Sequence, residues 1–157
     1  MEISVVIISY NTKQLVLDCL ASLAETVPPR SYEVIIVDNA SSDDTIQAVR
    51  TQFPDVKVIE NQENYGFAKA NNVGAAQASG EYLFLLNSDT IVCPDAVDTL
   101  IRVLEADQKI GIASPMLIGT DGKEQETVSF LMTPRTVICP RAKKRVKSAV
   151  AHALKHN

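Results

Sequence analysis

Four short polar segments, each following a strand-like apolar run, hold the residues of this 157-residue sequence that could do chemistry. The segments are Ser9-Tyr10-Asn11-Thr12, Asp38-Asn39, residues 61–65 and Asn87-Ser88-Asp89-Thr90. Together they supply an aromatic ring, two carboxylates and a group of amides. Carboxylate and amide oxygens are the ligands that hard divalent cations prefer. These residue types therefore indicate a binding site for a polar ligand.

The loops lack the glycine patterns of the common nucleotide and hydrolase sites. No G-x-G-x-x-G follows the first strand, which disfavours a dinucleotide site, and the sequence has no G-x-x-x-x-G-K-[ST]. A G-x-S-x-G elbow is also absent, which excludes the usual α/β hydrolase. Carboxylates and amides without a glycine cradle would hold a diphosphate through a bridging divalent ion, Mg²⁺ or Mn²⁺.

The elements that position these segments alternate between strand and helix. The predicted strands are residues 3–9, 34–37, 56–60, 82–86 and 110–114, and the predicted helices are residues 14–23, 43–52, 67–78 and 94–106. Ser41 and Ser42 are predicted to cap the second helix. The alternation predicts an α/β fold with a doubly wound, mostly parallel sheet. Ligands of such sheets bind outside the carboxyl ends of the strands, where the four polar segments lie.

Composition and charge divide the chain into two parts. The sequence is 46% apolar with a net charge of -4, but residues 1–134 carry -11 and residues 135–157 carry +7. An acidic body disfavours nucleic acid as a partner. Three cysteines without a CxxC (Cys19, Cys93 and Cys139), together with the lack of a signal sequence or a membrane-length apolar run, predict a cytoplasmic protein with reduced, mostly packed thiols.

The basic tail, residues 135–157, is predicted to be helical. Its apolar residues recur at helical spacing over residues 142–154, and lysines lie off that stripe. One interpretation is a solvated connector, which we favour. The alternative is peripheral contact between residues 142–155 and the anionic inner face of a membrane. His152 and His156 are four residues apart but lack an evident third ligand, which favours solvated histidines over a metal site.

Four segments match a known family in order. They are residues 5–11 (VVIISYN), 34–41 (VIIVDNAS), 64–74 (NYGFAKANNVG) and 85–89 (LLNSD). On these motifs the chain resembles the N-terminal half of a family 2 glycosyltransferase of the rhamnosyltransferase-like kind, over about residues 3–130. The resemblance implies the GT-A fold, with residues 1–134 as a domain that binds a nucleotide-diphospho-sugar for inverting sugar transfer.

The resemblance also implies site residues. The nucleobase would be held by the loop Ser9-Tyr10-Asn11 and by Asp38; the diphosphate and sugar would be approached by Asn64, Gly66, Lys69 and Asn72. The D-x-D element of the family reads Asn87-Ser88-Asp89 here, so Asp89 is the one carboxylate left to bind the metal.

Each of these residues also has a plain structural interpretation. Tyr10 could cap the sheet edge and Asp38 could cap a loop or helix. Asn64 and Asn72 could serve turns or packing, and Lys69 could be a surface lysine. The two glycines of the third motif could serve backbone geometry alone.

The residues for the acceptor side are not evident. Inverting transfer needs a general base, which in the resembled family belongs to a Glu-Asp motif, and no Glu-Asp pair occurs in this sequence. We therefore name no catalytic base and expect a shortened transferase whose acceptor would be a saccharide or a lipid-linked saccharide. A non-catalytic sugar-nucleotide-binding module that works with a partner chain is one alternative. A sugar-phosphate nucleotidyltransferase is another, although the first loop lacks the glycine-rich basic character it would need.

Overall fold

The computed structural model describes residues 1–26 and 30–125 and the backbone of residues 148–151. The strands are β1 (Ile3–Ser9), β2 (Tyr32–Asp38), β3 (Lys57–Glu60), β4 (Tyr82–Asn87), β5 (Ile112–Ala113), β6 (Leu117–Ile118), β7 (Glu124–Gln125) and β8 (Ser148–Ala151). The helices are α1 (Lys13–Thr26), α2 (Thr45–Gln52), α3 (Gly66–Ala76) and α4 (Ala96–Ala106). No helix in this described part is long and apolar enough to cross a membrane.

Six of the strands form one sheet in the order β3-β2-β1-β4-β8-β5. Every pairing within it is parallel. The chain moves outward from β1 through β2 to β3 and then returns to place β4 on the other side of β1. The strand order therefore reverses between β1 and β4, and such a switch point opens a crevice at the carboxyl ends of the strands. The predicted fold class, a doubly wound and mostly parallel α/β sheet, is confirmed.

Alternate residues of the strands supply the two faces of the sheet. On one face, Ile3, Val5 and Ile7 of β1 pack with apolar residues of α1, α2 and α4. On the other face, Val6 packs with residues of β2 and with Ala70 of α3. Strands buried on both faces read as continuous apolar runs, which is the pattern of β1 and β2. The carboxyl ends of β1, β2 and β4 therefore lie side by side above this core.

The structure differs from the sequence prediction in the tail. A helix was predicted over residues 142–154, but Ser148–Ala151 form the strand β8, which is inserted between β4 and β5. Without β8, the backbone N–H and C=O groups along that edge of β4 would lack a strand partner. The hydrogen bonds that residues 148–151 make with β4 therefore favour a strand over the helix that their apolar spacing predicted. The rest of the predicted helix, both histidines and most of the membrane-contact segment lie outside the described residues.

Candidate functional site

A cleft of about 600 Å³ lies at the switch point of the sheet. Its walls come from the ends of β1 and β4, from the loops after β1 and β2, and from the start of α3. The lining residues are Ile8, Tyr10, Thr12, Leu15, Asn39, Asn64, Gly66, Phe67, Asn87, Ser88 and Asp89. Six of the predicted site residues, Tyr10, Asn64, Gly66, Asn87, Ser88 and Asp89, thus share one cavity.

The loop after β1 presents an aromatic ring to this cleft. Tyr10 is 49% exposed, although a tyrosine of a structural core would be buried. Ser9, just before it, is buried, and its Oγ lies 3.2 Å from the Oγ1 of Thr12. The Thr12 hydroxyl lies 3.4 Å from the Ser88 hydroxyl, across the cleft floor. Ser9 therefore stabilises the loop, and Tyr10 is the part of it that a ligand can reach.

Asp38 ends β2 but does not line this cleft. Its carboxylate is buried and accepts hydrogen bonds from the Ser41 backbone N–H, at 2.8 Å, and from the Ser41 hydroxyl, at 2.5 Å. The adjacent Asn39 lines the cleft, and its side-chain oxygen accepts a hydrogen bond of 2.8 Å from the Asn61 side chain. A carboxylate can accept about four hydrogen bonds, so the bonds from Ser41 leave Asp38 with capacity for a ligand.

The loops after β1 and β2 are joined by hydrogen bonds. The Asn11 backbone N–H donates to the Ser41 hydroxyl at 2.9 Å, and the Asn11 side-chain oxygen accepts from the Ser42 N–H at 2.8 Å. Asn11 was predicted to bind the nucleotide-sugar, but its side-chain oxygen is hydrogen-bonded to the neighbouring loop. This arrangement holds the Tyr10 loop against the loop that follows Asp38.

Asp43 adds a third link between these loops. Its carboxylate accepts the backbone N–H of Lys13, the first residue of α1, at 3.0 Å, and it also accepts the Thr45 hydroxyl. Burial alone would raise the pKa of Asp43, but the hydrogen bonds from Thr45 and from backbone N–H groups lower that pKa below its ordinary value. The carboxylate is therefore held in its charged form at the amino end of α1, where a negative charge is favourable.

The start of α3 forms the opposite wall. The Asn64 side-chain oxygen accepts the Gly66 N–H at 2.9 Å, and Gly66 has a φ of 74°, a conformation that favours glycine. The Lys69 ammonium lies 3.4 Å from the centroid of the Tyr65 ring, so the structure pairs this predicted diphosphate contact with an aromatic face instead. Asn72, also predicted, is exposed on α3 and does not line the cleft.

Asn87, Ser88 and Asp89 follow β4 and form the polar end of the cleft. They offer one carboxylate, one amide and one hydroxyl, all with hard oxygen atoms, and all three are half-buried. No group of three or more His, Cys, Asp or Glu side chains that could hold a metal occurs among the described residues. Mg²⁺ is commonly bound through one or two carboxylates plus ligand phosphates, so this oxygen set fits an ion that a diphosphate helps to coordinate.

A buried thiol supports this loop from below. Cys19 of α1 donates from Sγ to the Asn87 carbonyl oxygen at 3.6 Å. Burial, more than any other cause, raises the pKa of the Cys19 thiol to about 12. The thiol is therefore an unreactive packing group at neutral pH. The predicted packing of the cysteines is confirmed for Cys19 but is wrong for Cys93, which follows the Asn87-Ser88-Asp89 loop and is exposed.

Five residues that line the cleft were not among the predicted site residues: Ile8, Thr12, Leu15, Asn39 and Phe67. Thr12 and Asn39 lie in polar segments that the sequence indicated, whereas Phe67, which is 57% exposed, and the two aliphatic residues do not. A phenylalanine inside an otherwise polar segment before an alanine-rich helix was the available signal for Phe67. Leu15 carries no such signal, because its spacing is equally that of a helix face packed on the core.

The parallel sheet, the switch-point cleft and the oxygen-rich loop after β4 are the features of a GT-A type domain. The family model "Glycosyl transferase family 2" matches residues 4–155, which extends beyond the residues 3–130 of the sequence resemblance. The chain therefore belongs to glycosyl transferase family 2.

Curated relatives agree with this assignment. An uncharacterized glycosyltransferase of Haemophilus influenzae is 34% identical over 108 residues, covering 69% of this chain and 36% of the relative. A poly-β-1,6-N-acetyl-D-glucosamine synthase of Staphylococcus epidermidis is 33% identical over 111 residues, covering 69% of this chain and 27% of the relative. The chain thus spans about a third or less of the length of these relatives.

Solved structures share the fold. TarS of S. aureus (residues 1–349) in complex with UDP-GlcNAc is 27% identical with a TM-score of 0.68, covering 78% of this chain and 36% of that one. The mannosyltransferase PcManGT of Pyrobaculum calidifontis, in complex with GDP-Man and Mn²⁺, is 29% identical with a TM-score of 0.67, covering 73% of this chain and 35% of that one.

Proposed function

We propose that this chain binds a nucleotide-diphospho-sugar in the switch-point cleft and forms the donor half of an inverting glycosyltransferase. The observation that carries the proposal is the cavity of about 600 Å³, in which Tyr10 stands at one side and the Asn87-Ser88-Asp89 loop lies at the polar end. An aromatic face suits a nucleobase, and hard oxygen atoms suit a metal-bridged diphosphate. Family membership supports the same assignment.

Tyr10, in the cleft wall, and Asp38, which lies outside the cleft lining in the loop that Ser41 joins to the Tyr10 loop, are the proposed nucleobase contacts. Tyr10 offers an exposed ring for stacking, and Asp38 retains acceptor capacity after its bonds to Ser41. The relatives of known structure hold UDP-GlcNAc and GDP-Man, so uridine and guanosine donors are the two candidates. Asn64 and Gly66, on the opposite wall, are proposed to face the ribose, diphosphate or sugar.

A divalent ion, Mg²⁺ or Mn²⁺, is proposed to bind at Asp89, with the Asn87 amide and the Ser88 hydroxyl beside it. The Mn²⁺ in the PcManGT complex supports this proposal, as does the oxygen chemistry of the loop. When bound, such an ion neutralises charge on the departing nucleoside diphosphate. A single carboxylate makes its affinity depend on the ligand's own phosphate oxygens.

The transfer step needs a base that removes the acceptor hydroxyl proton while the acceptor oxygen attacks the anomeric carbon and the sugar–phosphate bond breaks. Among the described residues that line the cleft, Asp89 is the only carboxylate, and it is the proposed metal ligand. This observation favours a second candidate, a donor-binding module that relies on another chain for the base and the acceptor site. The acceptor, a saccharide or lipid-linked saccharide, is part of the proposal.

Calorimetric titration with UDP-GlcNAc and GDP-Man in Mn²⁺ tests donor binding. We expect saturable binding of one of them. The bound donor should be hydrolysed only slowly to sugar and nucleoside diphosphate, and it should not be transferred efficiently onto added acceptors. If neither donor nor its nucleoside diphosphate binds, the proposed function is wrong. Efficient transfer by the chain alone would refute the donor-binding-module candidate.

A further inference from the structure

The Ser41 hydroxyl occupies a central place between the two proposed nucleobase contacts. It donates to Asp38 Oδ1 at 2.5 Å and accepts the backbone N–H of Asn11 at 2.9 Å. The Ser41 backbone N–H donates to the other oxygen of Asp38 at 2.8 Å. One hydroxyl group therefore links the Asp38 carboxylate to the residue that directly follows Tyr10.

The backbone around this link is held in an uncommon conformation. Asn11 has a φ of 52° and Ala40 has a φ of 64°, both in the left-handed region that residues with a Cβ seldom adopt. Such conformations persist only where surrounding interactions over-determine them. Here Ser41 lies next to Ala40 in the chain and bonds directly to Asn11, so it contributes to both turns.

We propose that Ser41 is a positioning residue for nucleobase recognition, acting through Asp38 and Tyr10 together. This inference rests on the proposed function of the cleft. The hydroxyl orients the Asp38 carboxylate and fixes the backbone on which the Tyr10 ring is carried. Removing it frees both groups at once, although Ser41 itself does not line the cleft.

Ser42 provides a matched control in the same turn. Its backbone N–H makes the 2.8 Å bond to Asn11, while its hydroxyl makes only a longer bond of 3.3 Å to the same oxygen. Ser42→Ala therefore removes a hydroxyl from the same loop but leaves the main bond in place. Ser41→Ala removes the bonds to both Asp38 and Asn11.

The first measurement is calorimetric titration of the nucleoside diphosphate of whichever donor binds the parent chain. We expect Ser41→Ala to raise Kd about tenfold, the effect of losing a net hydrogen bond to a charged group, and Ser42→Ala to raise it less than about twofold. Ser41→Thr, which restores the hydroxyl, should recover most of the affinity. Equal effects of Ser41→Ala and Ser42→Ala would overturn the proposal.

The second measurement separates positioning from a general structural role. If Ser41 acts through Asp38 and Tyr10, its substitution should cost only about threefold in an Asp38→Ala or a Tyr10→Ala background, because coupled residues are not additive. A full tenfold cost in both backgrounds would overturn the proposal, even if thermal melting shows all variants folded. Failure of the parent chain to bind any nucleotide would instead refute the proposed function.

Discussion

At the scale of single residues, two glycines of α3 serve different purposes. Gly66 has a φ of 74°, and a Cβ added there would meet nothing within 4 Å. Gly74 has helical geometry, but an added Cβ would lie 2.4 Å from Val6 Cγ1 and 3.0 Å from Val37 Cγ2. The first glycine permits the turn that opens the cleft wall, and the second lets the helix approach the sheet.

Gly74→Ala should therefore destabilise the protein. In an open helix the same change would stabilise by about 1 kcal/mol. Here the overlap with two core valines should lower the free energy of unfolding by about 1–3 kcal/mol, measured by urea denaturation. In a Val6→Ala background the overlap is relieved, so the added cost of Gly74→Ala should largely disappear. An equal cost in both backgrounds would contradict this reading of the packing.

The sequence predicted which residues lie near the site better than it predicted their hydrogen-bond partners. Tyr10, Asn64 and Asp89 follow from strand polarity, because residues at the carboxyl ends of parallel strands must share an edge. Ser41 was predicted to cap a helix, yet it bonds to Asp38 and Asn11. The bond to Asp38 lies within one turn, but the bond to Asn11 joins two loops 30 residues apart, and no local pattern encodes that contact. The roles of these residues in binding stay predictions.

At the scale of elements, the amino edge of the sheet is joined through Glu33. Its Oε1 accepts the Ser4 hydroxyl at 2.7 Å and both the hydroxyl and the N–H of Ser79, at 2.6 and 2.7 Å. The Ser4 hydrogen bond, followed by those from Ser79, lowers the pKa of Glu33 below its ordinary value of 4.5. One carboxylate thus ties β2 to β1 and to the turn before β4.

This link should make stability depend on pH. Because the folded pKa of Glu33 is depressed, its contribution is present above pH 4.5, the ordinary value, and is lost as the pH falls through the folded value. Glu33→Gln should therefore lower the melting temperature at pH 7, and the gap to the parent should narrow toward pH 3. Ser79→Ala, which removes one of the donors, should give a smaller gap. A gap that is constant with pH would contradict this account.

The strand β8 is the element that sequence reasoning assigned wrongly. Its residues carry a helical apolar spacing, and their strand state depends on pairing with β4 and β5, which lie far away in the chain. Local spacing could not reveal that partner, whereas β1, β2 and β4 were evident because each is a continuous buried run.

Two truncations test the role of β8. A chain that ends at Ala151 keeps the strand, and a chain that ends at Lys147 lacks it. Losing the hydrogen bonds to β4 and β5 should lower the free energy of unfolding by about 2–4 kcal/mol in the shorter chain relative to the longer one. Urea denaturation of both chains measures the difference. Equal stability of the two chains would mean that these residues do not pair in the sheet.

At the scale of the whole molecule, the reversal of strand order between β1 and β4 determines where a ligand can bind. The fold class and the location of the cleft were accessible from the sequence, because alternating elements allow few topologies. The family was accessible through the resemblance carried by the four sequence motifs. The depth of the cleft could not be predicted from the sequence, because it depends on how α3 and the three loops pack. In the function we propose, a diphosphate is held at Asp89 through a divalent ion, and the nucleobase is held independently at Asp38.

Calorimetric titration of UDP into the parent, Asp38→Ala and Asp89→Ala chains, each with Mn²⁺ and with a chelator, tests this claim most directly. If the parent chain binds GDP and not UDP, GDP replaces UDP in every titration. Asp38→Ala should weaken binding by about 5- to 150-fold in both conditions, because the proposed hydrogen bond from Asp38 to the base is independent of metal. Asp89→Ala should weaken binding strongly in Mn²⁺ and scarcely in chelator. Identical behaviour of the two variants, or a parent chain whose binding Mn²⁺ does not strengthen, would contradict the metal-bridged site.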